Sequence, residues 1–113
     1  MGQLHVMSLN LCCWGYDDNT VDKRLERVKT LIDKYKPCML GVQEATPKWM
    51  EYLSSNLEGY AHVGEGREGG GKGEHTAIFY RTDRLNLIET DTFWLSETPR
   101  VVSKSWGSRC LRV

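Results

Sequence analysis

The sequence has no long apolar run, and none of its stretches approaches the length needed to span a membrane. Its start, MGQLHVMSLN, lacks the basic opening and continuous apolar segment of a signal peptide and reads as a strand. Gly2 is present, but position 6 is Val6, where a myristoylation signal needs serine or threonine. Cys12, Cys13, Cys38 and Cys110 form no C-x-x-C pair, and His5, His62 and His75 fall at no zinc-ligand spacing. Charge of one sign is also missing. The 15 Lys and Arg balance 15 Asp and Glu, so no net field draws the chain toward nucleic acid or membrane. These absences predict a soluble, cytoplasmic protein whose cysteines are reduced and packed as small core residues. With no repeat and no linker, its 113 residues make one modest domain.

What is present is ordinary in amount, 40% hydrophobic and 27% charged, but ordered along the chain. QLHVMSLNL, residues 3–11, alternates like a strand. GYDDNT follows as a turn-rich loop. Val21, Leu25, Val28, Ile32 and Tyr35 then recur at helical spacing, with Thr20 as cap and Pro37 as stop. Lys23, Arg24, Glu26, Arg27, Lys29 and Asp33 form the opposite, charged face. CMLGVQE reads as a second strand, so the opening is a βαβ unit with parallel strands. A second helix is expected from Pro47 to Leu57. It has Thr46 as cap, Pro47 at its first position, Met50, Leu53 and Leu57 as its buried stripe, and Gly59 closing it. Residues 60–64 suggest a third strand. HTAIFYR and LNLIETDTFWL predict a hairpin about the turn TDR, and SRCLRV a strand start.

Parallel neighbours place their C-terminal ends on one sheet edge, where open α/β sheets bind ligands. Asn10 ends the first strand and Glu44 the second, so an amide and a carboxylate can converge there. A carboxylate suits a hard cation such as Mg²⁺, and an amide can hydrogen-bond a phosphate oxygen or orient the acid. The residues alone leave an alternative open. Glu44 could simply favour the dipole of the following helix, and Asn10 could simply close its strand.

Three other features bear on function. Gly66, Gly71 and Lys72 fit G-x-x-x-x-G-K, but Gly73 stands where a P-loop needs serine or threonine, and a strand pattern follows where a helix should. The stretch therefore reads as a flexible, hairpin-like connection or a mobile loop beside the substrate edge. Residues 98–113 carry Arg100, Lys104, Arg109 and Arg112 and no acid, a solvated basic edge or an anion-facing rim. Trp49 and Trp94 suit packing, whereas Trp106, between Lys104 and Arg109, is the candidate for stacking on a base.

The order VMSLNL, amphipathic helix, MLGVQEA, GEHTAIFYR, TFWLSETP and SKSWGSR resembles the endonuclease/exonuclease/phosphatase family across residues 6–113. The resemblance implies an α/β fold, the N-terminal half of a two-sheet sandwich flanked by helices. It makes residues 1–113 a partial domain of that type. It implies a Mg²⁺-dependent phosphoester hydrolase, with Mn²⁺ as a substitute ion. Glu44 of the QE pair would be the metal ligand, and Asn10 of the NL pair would sit beside metal and phosphate. Glu74, of a GE pair with Gly73, would face the site, and Arg109 would contact a phosphate. The family acts on nucleic acids, phospholipids, inositol phosphates and other phosphoesters, and the sequence selects none of them. The later family motifs, of THLD, GDxN and SDH type, do not occur in these residues. The expectation is therefore an N-terminal piece with little activity alone, whose uncovered half-core favours self-association. The alternative is a non-catalytic fragment or interaction module that keeps the first half of the fold.

Overall fold

The structure is a computed structural model and describes residues 2–14 and 20–113. The turn expected over GYDDNT falls, apart from its final Thr20, outside the described residues. Strand β1 is Val6–Asn10, helix α1 Val21–Tyr35, strand β2 Met39–Ala45, helix α2 Pro47–Asn56, strand β3 Tyr60–Val63 and strand β4 His75–Arg81. Together the strands make one sheet in the order β1-β2-β4-β3. β1 and β2 run parallel, with Val6 opposite Met39 and Asn10 opposite Gln43, as the βαβ reading requires. β4 runs antiparallel to both β2 and β3.

Local chemistry sets the helix ends. Thr20 and Thr46 each adopt an extended backbone and accept a bond from the amide three residues on, Lys23 and Trp49, at 3.4 Å. Pro47 begins α2, where its missing N–H costs nothing. Lys36, at φ 40, closes α1 in the left-handed region, and Pro37 prevents any continuation.

Both helices cover the same sheet face. Ile32, Trp49, Met50, Leu53 and Leu57 pack with Leu40, Val42, Ala77 and Phe79 in one buried cluster, against which Val21, Leu25 and Val28 are half-buried. Tyr35, expected on the buried stripe, lies instead at the frayed end of α1 and is exposed. Among the described residues no helix lies over the opposite sheet face, and Val6 is 66% and Ile78 40% exposed. The molecule measures 42 × 41 × 21 Å, thin enough for one helix layer on one sheet. Its radius of gyration of 15.0 Å exceeds the roughly 13 Å of a compact chain of this length.

Two expected strands are not formed. LNLIETDTFWL makes no ladder with β4, and after the turn at Arg81–Leu85 the chain runs irregularly. Its apolar residues find no sheet position: Leu87, Ile88 and Phe93 are exposed. β4, the partner expected for a hairpin, already has β2 and β3 on its two edges. SRCLRV likewise stays irregular, tied to the segment before it by bonds that include the Leu95 N–H to the Arg112 carbonyl, 2.9 Å. The cysteines also depart from expectation. Only Cys38 is buried; Cys12, Cys13 and Cys110 are half-buried, and all four are free.

One irregularity inside the sheet decides where the site lies. Leu40 and Val42 point into the core, and strand alternation would send Glu44 after them. The β2–β4 register shifts between Val42 and Ala45, so Ala45 returns to the core and Glu44 is the extra residue of a bulge. Its φ is 54, a left-handed conformation that a side chain at Cβ disfavours. At an ordinary strand position alanine is more stable than glycine. Here the order reverses: Glu44→Gly exceeds Glu44→Ala in stability by about 1 kcal/mol, measured by urea unfolding. Leu53→Ala, in the closed core, costs about 3 kcal/mol, whereas Ile88→Ser, at a residue 97% exposed, changes stability by less than about 0.5 kcal/mol.

Candidate active site

The bulge turns Glu44 away from the core and toward the end of β1. There the Asn10 amide, Nδ2, donates to Glu44 Oε1 at 3.3 Å, and the Cys13 backbone N–H donates to Oε2 at 3.1 Å. The two residues that the parallel topology brings to one edge are thus in direct contact. Asn10 works in both directions, since its Oδ1 accepts the Cys12 N–H at 2.8 Å. Beside them Gln43 donates to Ser8 Oγ at 3.2 Å across the same pair of strands.

These bonds set the charge of the site. The Cys13 N–H and then the Asn10 amide hold the Glu44 carboxyl below the usual glutamate range, against the opposing effect of its burial. The anion's gain is therefore present above the ordinary carboxylate pKa and is lost as pH falls through the lowered one. The neighbouring Cys13 thiol moves the other way. Burial, then Glu74 and Glu44 beside it, push it up to about 11, so it stays protonated at neutral pH.

Glu44 and Glu74 line one small cavity together with Arg67, His75, Thr76, Leu111, Arg112 and Val113. Arg67 pairs with Glu74 at 3.0 Å, so that carboxylate has a cationic partner. The glycine-rich stretch carrying Arg67 closes on itself through bonds from Gly66 N to Gly70 O, Arg67 N to Glu74 O and Glu68 N to Lys72 O. Gly66 is obligatory there, because a Cβ would meet the Lys72 carbonyl oxygen at 1.9 Å. β4 follows, so the P-loop context is absent.

Arg109 is exposed and does not line the cavity, whereas Arg112, three residues on, does. Trp94 explains how two arginines from distant segments meet. It is buried, and its indole N–H donates to the Arg67 carbonyl at 2.7 Å, while the next residue, Leu95, bonds Arg112. Sequence reasoning gave Trp94 a packing role, set Arg112 with Arg109 in a solvated basic edge or anion-facing rim, and assigned no role to Arg67. Spacing carries no signal for either, since they reach the site through backbone carbonyls of an irregular segment. Trp106 is exposed and lies outside this cavity. Among the described residues, no three acid, histidine or cysteine side chains cluster as a metal cage.

No protein-family profile matches the chain, and no curated protein matches it in sequence. Solved structures do. A mannosyl-6-phosphatase from Bacteroides thetaiotaomicron VPI-5482 matches with a TM-score of 0.88 and 34% identity over 96% of this chain. An endonuclease/exonuclease/phosphatase family protein from Bacteroides thetaiotaomicron matches with 0.87 and 34% over 96%. One from Bacteroides vulgatus matches with 0.81 and 28% over 94%. The chain spans 43%, 40% and 41% of those proteins in turn, about two fifths of each. In fold and in sequence the chain is similar to proteins of the endonuclease/exonuclease/phosphatase family, over about two fifths of their length.

Proposed function

We propose that this chain supplies the cation-binding edge of a Mg²⁺-dependent phosphoester hydrolase, with Mn²⁺ able to substitute. The observation that carries the reading is Glu44. It is held in a left-handed bulge, ionised, and aimed at the sheet edge by Asn10 and the Cys13 N–H. The donor set fits a hard cation. Glu44, Asn10 and Glu74 offer oxygen, and the one thiol among them stays protonated. A single free carboxylate suits Mg²⁺, which keeps waters and borrows ligands from substrate phosphate. When bound, the ion would supply Lewis-acid polarisation and a template for the phosphoryl group.

The chain's own residues would do the rest. Glu44 is the proposed ligand, and Asn10 fixes its orientation. Arg67 and Arg112 line the same cavity, and guanidinium groups suit phosphate oxygens. The weak phosphate-contact role expected of Arg109 passes in this reading to Arg112. Glu74 restrains Arg67 until an anion competes for it. The likeness to a mannosyl-6-phosphatase supports a phosphoester substrate. Nucleic acid remains within the reading, with Trp106 available for stacking. Because Glu74 is paired with Arg67 and no group of three acid, histidine or cysteine side chains gathers among the described residues, these 113 residues alone would turn over slowly.

A second reading, an interaction module or self-associating half-fold, is favoured by exposed Val6 and Ile78 on the helix-free sheet face and exposed Phe93 in the segment beside it. Sedimentation velocity decides it: a concentration-dependent dimer supports it, and a monomer across the range removes it.

The first reading is tested by calorimetric Mg²⁺ titration of the chain and of Glu44→Gln. Weak saturable binding is expected in the first and none in the second; identical titrations would exclude Glu44 as a ligand. Arg112→Ala should weaken inorganic phosphate binding about tenfold in the presence of Mg²⁺, with Arg109→Ala close to unchanged.

A further inference from the structure

The charged face of α1 contains one residue that does not behave as a solvated charge. Lys23 and Arg27 are exposed, but Arg24 is half-buried, its guanidinium 5.6 Å from the ring centroid of the buried Trp49. From there it donates to three backbone carbonyls of one short segment: Leu11 at 2.5 Å, Cys12 at 2.6 Å and Trp14 at 3.0 Å. Among the described residues its Nε is buried without an acceptor, and so is the indole nitrogen of Trp49. An apolar side chain over Trp49 would avoid leaving that donor unpaired, so packing alone does not account for an arginine here.

The bonds on the other side of the same segment do. The Leu11 carbonyl and the Cys12 N–H belong to one planar peptide unit, and the Cys12 carbonyl and Cys13 N–H to the next. Arg24 grips the oxygen of each unit. Asn10 Oδ1 takes the N–H of the first and Glu44 Oε2 the N–H of the second. Each peptide plane is therefore held at both ends, by the guanidinium and by a residue of the site. Cys12 sits between them at φ 53, a strained conformation for a residue with a side chain, and needs such restraint. A cation at the carbonyl end also polarises the peptide, so that its N–H becomes a better donor to the carboxylate.

We propose that Arg24 is a positioning residue for the candidate cation site, aligning Asn10 and Glu44 through the Leu11–Cys12 and Cys12–Cys13 peptide units. The inference deepens the hydrolase reading in its metal arm, while its structural arm stands without any metal. Arg24→Met keeps a flexible apolar stem on Trp49 but removes every donor. Arg24→Lys keeps the charge but replaces a planar fork by one nitrogen that cannot meet three carbonyls equally.

Amide hydrogen exchange of the 113-residue chain tests it. In Arg24→Met the Cys12 and Cys13 amides should exchange at least about tenfold faster, with the β2–β4 ladder amides unchanged. Arg24→Lys should fall between the two. Mg²⁺ affinity, by calorimetry, should drop about tenfold or more in Arg24→Met. Loop amides protected as in the unmodified chain would overturn the proposal. So would equal acceleration of loop and ladder amides in both variants, the mark of a residue that only stabilises. If Arg24→Met does not fold, selective acceleration in Arg24→Lys decides the matter. If the unmodified chain binds no Mg²⁺, the hydrolase reading fails while the exchange result still stands or falls on its own.

Discussion

The structure turns on the carboxylate of Glu44 and the two donors that meet it. Strand alternation would bury that acid beside Leu40 and Val42, where an unpaired charge is costly. The bulge removes it from the core at the expense of a left-handed backbone, and the Asn10 amide and Cys13 N–H recover part of that expense. Everything around the site can be read as support for this exchange. β1 must run parallel to β2 for Asn10 to arrive, and the loop after β1 must curl for Cys13 to present its N–H. Arg24 and Trp49, from two different helices, hold that curl.

Charge is segregated across the cavity. One side is anionic, with Glu44 free of any cationic partner in its immediate bonds. The other is cationic, with Arg67 and Arg112 brought in by Trp94 and Leu95. Glu74 sits between the two, paired to Arg67 and close to the Cys13 thiol. A phosphate group with a divalent cation has the complementary layout, negative oxygens bridged by a positive centre. That match rests on Glu44, Arg67, Glu74 and Arg112, although the chain's net charge is zero.

The βαβ opening was legible because each signal was local and mutually consistent: alternation over 3–11, a 3.6-residue stripe over 21–32, Thr-Pro at the start of α2. The meeting of Asn10 with Glu44 was legible too, since it follows from parallel pairing rather than from side-chain detail. What the sequence did not disclose was of two kinds. The segment after Arg81 has strand-like alternation, yet a strand needs an edge to pair with, and that is not a property of the segment itself. The other kind is roles exercised through backbone atoms. Arg24 looked like a surface charge because its three acceptors are carbonyls, which every residue has. Arg112 looked no different from Arg109, and only the bond from Leu95 separates them.

Trp94 and Leu95 lie late in the chain, and this bears on the order in which the site comes into being during synthesis. As the chain emerges N-terminus first, the Asn10–Cys13–Glu44 corner has all its members once α2 can supply Trp49. The guanidinium wall waits until Leu95 has captured Arg112. For the interval between, a nascent chain would carry the acidic corner without the arginines that share its cavity.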